Sequence, residues 1–237
     1  MNIVEVKHFK MSFGGGKPVI RDLSFDIKKG EIFGLLGGNG SGKTTTIRAL
    51  LGLYTPTSGD LLINGQQYSP ETAKVGYLPE ERGLYKKETV IDVMTYFGEL
   101  KGLKDPKTWS LKYLERVGLA DKPQAKVETL SSGQQQKVQL GITIMGDPEL
   151  LILDEPTKGF DPVNRRLLMD IIDEHHQRGA TILMITHYMD EVERLCDRAL
   201  LLKKGKAEAY GTIKAIKKQF GGKSLDEIFV ETYGKAE

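Results

Sequence analysis

Short apolar runs and amphipathic stretches alternate along most of this 237-residue chain. Residues 3–9 and 19–27 carry strand-like apolar patterns on either side of the turn formed by Gly14, Gly15 and Gly16. Residues 31–36 form a short apolar run that stops at a glycine cluster, and a helical pattern takes over from Gly42 to about Leu51 and Gly52. Residues 61–63 and 75–78 predict two further strands. From Thr89 to Gly146 the period changes to that of helices. Ile91, Met94, Phe97 and Leu100 recur at helical spacing, as do Leu111, Leu114, Val117 and Leu119, with Asp105-Pro106 as a helix start.

From Leu150 onward the two periods alternate again. The pattern predicts a strand at 150–153, a helix at 162–178, a strand at 181–186 and a short helix at 188–195. A hairpin at 199–202 and 207–210 closes at Lys204-Gly205, and two helices follow at 212–220 and 224–233. Apolar strands alternating with helices predict an α/β fold whose mostly parallel sheet is buried on both faces, with the helical middle as an insertion.

Composition narrows the class. The length suits one large domain or two small ones and needs no disulfide to secure a core. Hydrophobic residues at 39% and charged residues at 28% are ordinary for a globular protein and exclude disorder for the bulk of the chain. Lys and Arg total 34 against 32 Asp and Glu, a net charge of +2 that is too balanced for a chain living on nucleic acid or an anionic membrane. The single cysteine, Cys196, forms no intrachain disulfide and fits a reducing compartment. No apolar run approaches the ~20 residues of a membrane span, and residues 1–10 hold no signal-peptide core. The expectation is a cytoplasmic protein that meets a membrane only through a partner.

The chemistry begins with Gly37-Gly38-Asn39-Gly40-Ser41-Gly42-Lys43-Thr44, which fits G-x-x-x-x-G-K-[ST] at every fixed position. Glycines let backbone N–H groups turn inward on phosphate oxygens, and the helix that follows points its positive end at the same anion. Lys43 is long enough to reach β- and γ-phosphates, and the Thr44 hydroxyl can ligate Mg²⁺. A second motif is the apolar strand that ends in Asp154-Glu155, at the edge where open α/β sheets bind ligands. Asp154 is placed to hold Mg²⁺ through its water shell, and Glu155 to polarise an attacking water. His187 directly follows the strand at 181–186, where a neutral imidazole can bond a γ-phosphate and that water. Alone, the acid pair reads as a solvated turn and His187 as a surface residue. His8, His175 and His176 carry no chemistry in this reading, and no Cys/His spacing predicts zinc.

Leu130-Ser131-Ser132-Gly133-Gln134 lies some 20 residues before Asp154 and by itself reads equally as a Ser-capped helix start. It also resembles the Leu-Ser-Gly-Gly-Gln signature of the ATP-binding-cassette (ABC) ATPases. With the phosphate loop, the acid pair, Asp161 and His187 in the same order, residues 2–212 resemble a complete ABC nucleotide-binding domain. The resemblance implies a P-loop NTPase core with an N-terminal antiparallel β subdomain and an inserted helical subdomain. It divides the chain into an ATPase domain at 1–212, a helical subdomain at about 86–146 and a C-terminal extension at 213–237.

Site roles follow from the same resemblance. Phe13 matches the aromatic that stacks on adenine, where tyrosine is commoner. Thr45 stands directly after the phosphate loop, and Phe160-Asp161 matches the loop that crosses the dimer interface. Asp154, Glu155 and His187 match the Mg²⁺-associated aspartate, the catalytic glutamate and the switch histidine. The family implies two ATP molecules held between two nucleotide-binding subunits arranged head to tail, the signature of one facing the phosphate loop of the other. One complete motif set favours a homodimer.

Two positions depart from the family pattern. Ser132 replaces the first glycine of the signature. Glu80, in Val75-Gly-Tyr-Leu-Pro79-Glu80, stands where the family carries a glutamine that contacts Mg²⁺ and water. The carboxylate is expected to make hydrolysis more dependent on Mg²⁺ and pH. The run Leu-Pro-Glu-Glu-Arg-Gly-Leu-Tyr and the ending Ser224-Leu-Asp-Glu-Ile-Phe resemble the bacterial exporter branch. That implies energy coupling to a separate transmembrane permease, docked at residues 80–115 through side chains such as Leu84, Tyr85, Tyr96 and Phe97. The competing functions are a soluble ABC ATPase of translation or DNA repair and a nucleotide-dependent regulator. A single cassette without sustained heptads argues against the first, and an intact Glu155 against the second.

Overall fold

A computed structural model describes residues 1–81 and 83–234. Arg82 and residues 235–237, at the end of the predicted C-terminal extension, lie outside the described residues. In chain order the elements are β1 (Asn2–Met11), β2 (Ile20–Lys28), β3 (Ile32–Leu36), α1 (Lys43–Leu50), β4 (Ser58–Ile63), β5 (Val75–Leu78), α2 (Val90–Leu100), α3 (Pro106–Arg116), α4 (Ser132–Ile144), β6 (Leu150–Asp154), α5 (Pro162–Gln177), β7 (Thr181–Ile185), α6 (Met189–Leu195), β8 (Arg198–Lys203), β9 (Lys206–Thr212), α7 (Ile213–Gln219) and α8 (Leu225–Tyr233). Among the described residues the strands form one nine-stranded sheet in the order β4-β1-β2-β9-β8-β3-β7-β6-β5. Strands β8, β3, β7, β6 and β5 run parallel, whereas β4, β1 and β2 are antiparallel. Strand β9 is antiparallel to β8 and touches β2 through one pair, Asp22 and Lys206.

The uninterrupted apolar runs become strands buried on both faces, because the pleat sends alternate side chains to opposite layers. On β6, Leu151 and Leu153 join the layer packed by the helices α2–α8, while Leu150 and Ile152 join the layer formed with β1, β2, β4 and α1. Strands β7 and β8 sort the same way, with Ile182, Met184, Ala199 and Leu201 against Leu183, Ile185, Leu200 and Leu202. Each of these Leu, Ile and Met side chains contributes roughly 1.5–3 kcal/mol of burial. The one strand that starts well before its expected position is β4. Its first half, Ser58-Gly59-Asp60, is polar and exposed on the sheet edge, so no apolar period announces it.

The helical middle is built on capped starts. Thr89 accepts from the Asp92 N–H, Asp105 accepts from the Thr108 N–H with Pro106 in the first turn, and Ser131 and Gln134 form a reciprocal capping box. Lys101, just after α2, ties this region to α4: its Nζ donates to the carbonyls of Ile142, Thr143 and Met145 at 2.5, 3.1 and 3.2 Å. Burial pushes the amine down to about 8. Lys101→Met keeps the apolar stem but leaves these carbonyls without their donor, so a loss of ~1–3 kcal/mol is expected. At ~2–4 °C per kcal/mol the thermal melt reads this directly; an unchanged midpoint would mean that water replaces the ammonium. Among the described residues no helix is long and apolar enough to cross a membrane.

Candidate functional site

The carboxyl ends of β3, β6 and β7 open into a cleft of about 790 Å³, at the sheet edge where parallel α/β folds bind ligands. Residues 37–45, Glu80, Asp154, Glu155, Lys158 and His187 line it, together with Val19, Phe229 and Tyr233. The chain leaves β3 at Leu36, turns through 37–42 and enters α1 at Lys43. Gly42 makes that entry possible: its φ is +111°, and a Cβ there would lie 2.3 Å from Ile20 Cδ1. The α1 N-terminus thereby faces the cleft with its unpaired N–H groups.

Several polar groups of this loop are set for an anion. Lys43 Nζ donates to the carbonyls of Gly37 and Gly38 at 2.7 and 3.0 Å. Burial lowers the Lys43 pKa, against the opposing pull of Asp154, Glu155 and Glu80. Ser41 Oγ is buried and makes no hydrogen bond. Backbone amides, a half-buried ammonium and a buried hydroxyl around an open cradle fit a polyphosphate.

On the other wall, β6 ends at Asp154, which is 4% exposed. Burial first, then the neighbouring charges of Glu80 and Glu155, push its carboxyl up to about 6. Glu155 follows with φ +53°, an uncommon conformation for a non-glycine residue that the surroundings hold in place. Its N–H donates to the Ile185 carbonyl at 2.8 Å, extending the β6–β7 ladder, and the Gln136 side-chain amide donates to the Glu155 and Pro156 carbonyls at 3.0 and 2.9 Å. The Asp154–Ile185 register is what carries Glu155 to His187. Glu155 Oε2 lies 2.8 Å from His187 Nδ1 in an ion-pair contact and accepts no hydrogen bond, which leaves it lone pairs for a further donor.

A buried network stands behind these groups. Glu191 Oε1 accepts from the Thr157 hydroxyl and from Arg165 Nε, both at 2.6 Å, and Oε2 accepts from the Thr186 hydroxyl at 3.0 Å. Thr186 Oγ1 in turn accepts from the Tyr188 N–H at 3.1 Å, and the Arg165 guanidinium lies 4.2 Å from the Tyr188 ring centre. The turn after Glu155, the loop bearing His187 and the start of α5 are thus fastened to one carboxylate.

Of the remaining sequence candidates, Phe13, Ser131, Ser132, Gly133, Gln134 and Asp161 are not among the residues that line this cleft. Ser131 and Gln134 cap α4, and Asp161 caps α5 by accepting from the N–H groups of Val163 and Asn164. The Phe160 ring rests on Gly133, 3.2 Å from where a Cβ would stand. Ser132 lines a second cleft of about 510 Å³ with Glu80, Glu155 and Lys158. Phe13 is not in the wall of the first cleft; its ring stands edge-on to Tyr54 at 5.3 Å. Glu80 is not a lone charge, because its Oε1 accepts from Lys158 Nζ at 2.6 Å. Lys158, Gln136, Val19, Phe229 and Tyr233 belong to the site although the sequence reading gives them no site role. Lys158 and Gln136 adjoin motifs, but nothing local links Phe229 or Tyr233 to residues 37–42.

A family model described as ABC transporter matches residues 20–158. An uncharacterized ABC transporter ATP-binding protein of Methanocaldococcus jannaschii is 46% identical over 215 residues, covering 90% of this chain and 79% of the relative. The linearmycin resistance ATP-binding protein LnrL of Bacillus subtilis is 35% identical over 240 residues, covering 99% of this chain and 77% of the relative. A solved structure described as the ATP-binding subunit of an ABC transporter superposes with a TM-score of 0.89 at 33% identity, over 97% of this chain and 99% of the other. The phosphate cradle, the paired acids and these likenesses lead to one conclusion: the chain belongs to the ABC transporter family, as a subunit that binds and hydrolyses ATP.

Proposed function

We propose that this chain is the motor of an exporter, dimerising around ATP and driving a separate transmembrane permease from the inner face of the cell membrane. The observation that carries the catalytic part is the convergence of Lys43, Asp154, Glu155 and His187 on one cleft at the N-terminus of α1. The amides of residues 37–42 and Lys43 hold the phosphates, with Ser41 as a further donor. Glu155 orients water and takes its proton, and His187 steadies the same water. Among the described residues no group of three or more His, Cys, Asp or Glu is placed to hold a metal unaided. Thr44, Asp154 and Glu80 instead offer the oxygens suited to Mg²⁺, which keeps most of its ligands from phosphate and water. Bound Mg²⁺ supplies charge neutralisation at the phosphate oxygens.

In this reading Ser131, Ser132, Gly133, Gln134 and Asp161 serve the partner subunit's nucleotide, which agrees with their absence from the chain's own phosphate cleft. The permease seat is the aromatic group Tyr85, Tyr96 and Phe97. Its ring centres lie 5.5–6.0 Å apart, and Tyr85 and Tyr96 are 55% and 46% exposed. Export is supported by the likeness to a resistance protein. Residues 1–212 form the ATPase unit with its helical subdomain at about 86–146, and the helices from 213 onward are an extension of it. The transporter names of these relatives give no support to a translation or DNA-repair role.

Glu80→Gln is expected to raise the Mg²⁺ concentration for half-maximal turnover about 5-fold, near 1 kcal/mol, since one anionic oxygen is lost. Identical Mg²⁺ titrations would remove Glu80 from the metal's surroundings. The whole reading is tested by expressing tagged Glu155→Gln chain in its native host, adding ATP, solubilising gently and identifying what co-purifies. A multi-span membrane protein in near-equal amount is the expected result. Recovery with ribosomes, DNA or nothing would overturn it.

A further inference from the structure

The C-terminal helix α8 lies outside residues 20–158, the span matched by the family model, yet it forms part of the phosphate cleft. Its last residue, Tyr233, lays its ring on the phosphate loop: a Cβ on Gly38 would stand 3.3 Å from Tyr233 Cδ1 and 3.6 Å from its Cβ and Cγ. The Tyr233 hydroxyl donates to the Leu202 carbonyl at 3.2 Å. That carbonyl belongs to β8 and would lie 2.6 Å from a Cβ on Gly37. One side chain therefore spans both glycines whose carbonyls receive Lys43 Nζ. One turn earlier, Phe229 faces the same cleft and packs on Tyr233 with ring centres 4.6 Å apart.

The helix that presents this pair is firmly seated. Ser224 and Glu227 form a capping box, Leu225 and Ile228 are fully buried, and the Leu225 N–H donates to Glu193 Oε1 at 3.0 Å. Glu193 belongs to α6, the helix that begins two residues after His187. Helix α8 thus braces the phosphate loop from one side and the His187 segment from behind.

We propose that Tyr233 is a positioning residue for nucleotide binding, its ring and hydroxyl holding Gly37 and Gly38 in the cradle conformation. This rests on the reading of residues 37–43 as the phosphate site. A loop held in place loses less conformational freedom on binding, so the effect falls on affinity rather than on the chemical step.

The test measures dissociation of a fluorescent trinitrophenyl-ATP without Mg²⁺, alongside KM and kcat for MgATP. Tyr233→Ala is expected to weaken both the dissociation constant and KM about 5- to 10-fold with kcat within 2-fold, and Tyr233→Phe, which keeps the ring, to recover most of the loss. Gly38→Ala places a methyl against the ring. It is expected to weaken binding about 5-fold in the parent chain and less than 2-fold beside Tyr233→Ala. Affinity within 2-fold of the parent for Tyr233→Ala, or equal effects of Gly38→Ala in both backgrounds, would overturn the proposal. If Tyr233→Ala fails to fold, Gly38→Ala alone against Gly38→Ala with Tyr233→Leu decides it: a smaller loss of affinity beside Tyr233→Leu is expected, and an equal loss in both is the negative result. A parent chain that binds no nucleotide would instead refute the phosphate-site reading.

Discussion

Glu155→Gln is expected to lower ATP turnover ~10²- to 10⁴-fold while nucleotide affinity stays within a few-fold of the parent. The side chain keeps its size and its reach, so the change isolates the ability to accept a proton. Nothing that holds the backbone is touched: the bond from the Glu155 N–H to the Ile185 carbonyl and those from Gln136 to the Glu155 and Pro156 carbonyls involve main-chain atoms of residue 155. The φ of +53° is therefore retained and the cleft keeps its shape. Glu155 Oε2 is buried and accepts no hydrogen bond, its one close contact being the ion pair with His187, an arrangement that suits a general base before water arrives. Steady-state and single-turnover rates should fall together, and the thermal midpoint should stay near that of the parent. Turnover within 10-fold of the parent would assign the proton to another group of the same cleft, such as Glu80 or His187.

The fold was largely legible because its core strands are buried on both faces. Runs such as Leu150-Leu-Ile-Leu and the strand-loop-helix order at 31–51 leave few alternatives for an α/β chain. Legibility failed where burial does not speak. The polar half of β4 is an edge that pairs by backbone alone. In the site, the residues of the cleft that are contiguous in sequence, from Gly37 to Thr45 and Asp154 with Glu155, were found because their chemistry needs adjacent residue types. Contacts that depend on register between distant segments were not. Lys158 pairs with Glu80 across 78 positions, and this moderates the charge excess that sequence assigned to Glu80. Tyr233 meets Gly38 only because α8 folds back over β8. The family resemblance assigns Phe13 to adenine stacking, and the structure sets its ring edge-on to Tyr54.

Glu191 marks the second large effect, and sequence gave no hint of it. Acidic residues in a short helix after a strand are ordinarily solvated, yet Glu191 is 4% exposed and gathers Thr157, Thr186 and Arg165. Glu191→Ala removes the acceptor for two buried hydroxyls and one of the two carboxylates that hold Arg165. Breaking a buried charge pair from one side costs ~3–5 kcal/mol, but Arg165 keeps Asp190 at 2.7 Å, so ~3 kcal/mol is expected. At ~2–4 °C per kcal/mol the midpoint should fall by about 6–12 °C. Turnover should fall as well, by about 10-fold or more, because a 1 Å displacement at the reacting centre can cost ~10²-fold in rate and part of that shift is expected here. The route is specific: Thr157 sits two residues after Glu155 and Thr186 immediately before His187, so both residues proposed to act on the water lose their common anchor. Glu191→Gln separates the two contributions. It keeps an oxygen and the shape of the side chain but cannot satisfy two hydroxyl donors and Arg165 together, so it should recover part of the stability and less of the turnover. Calorimetry with a parallel ATPase assay measures both. A loss below 1 kcal/mol for Glu191→Ala would mean that water replaces the carboxylate, and that the Glu155 turn and the His187 loop are held by the β6–β7 ladder alone.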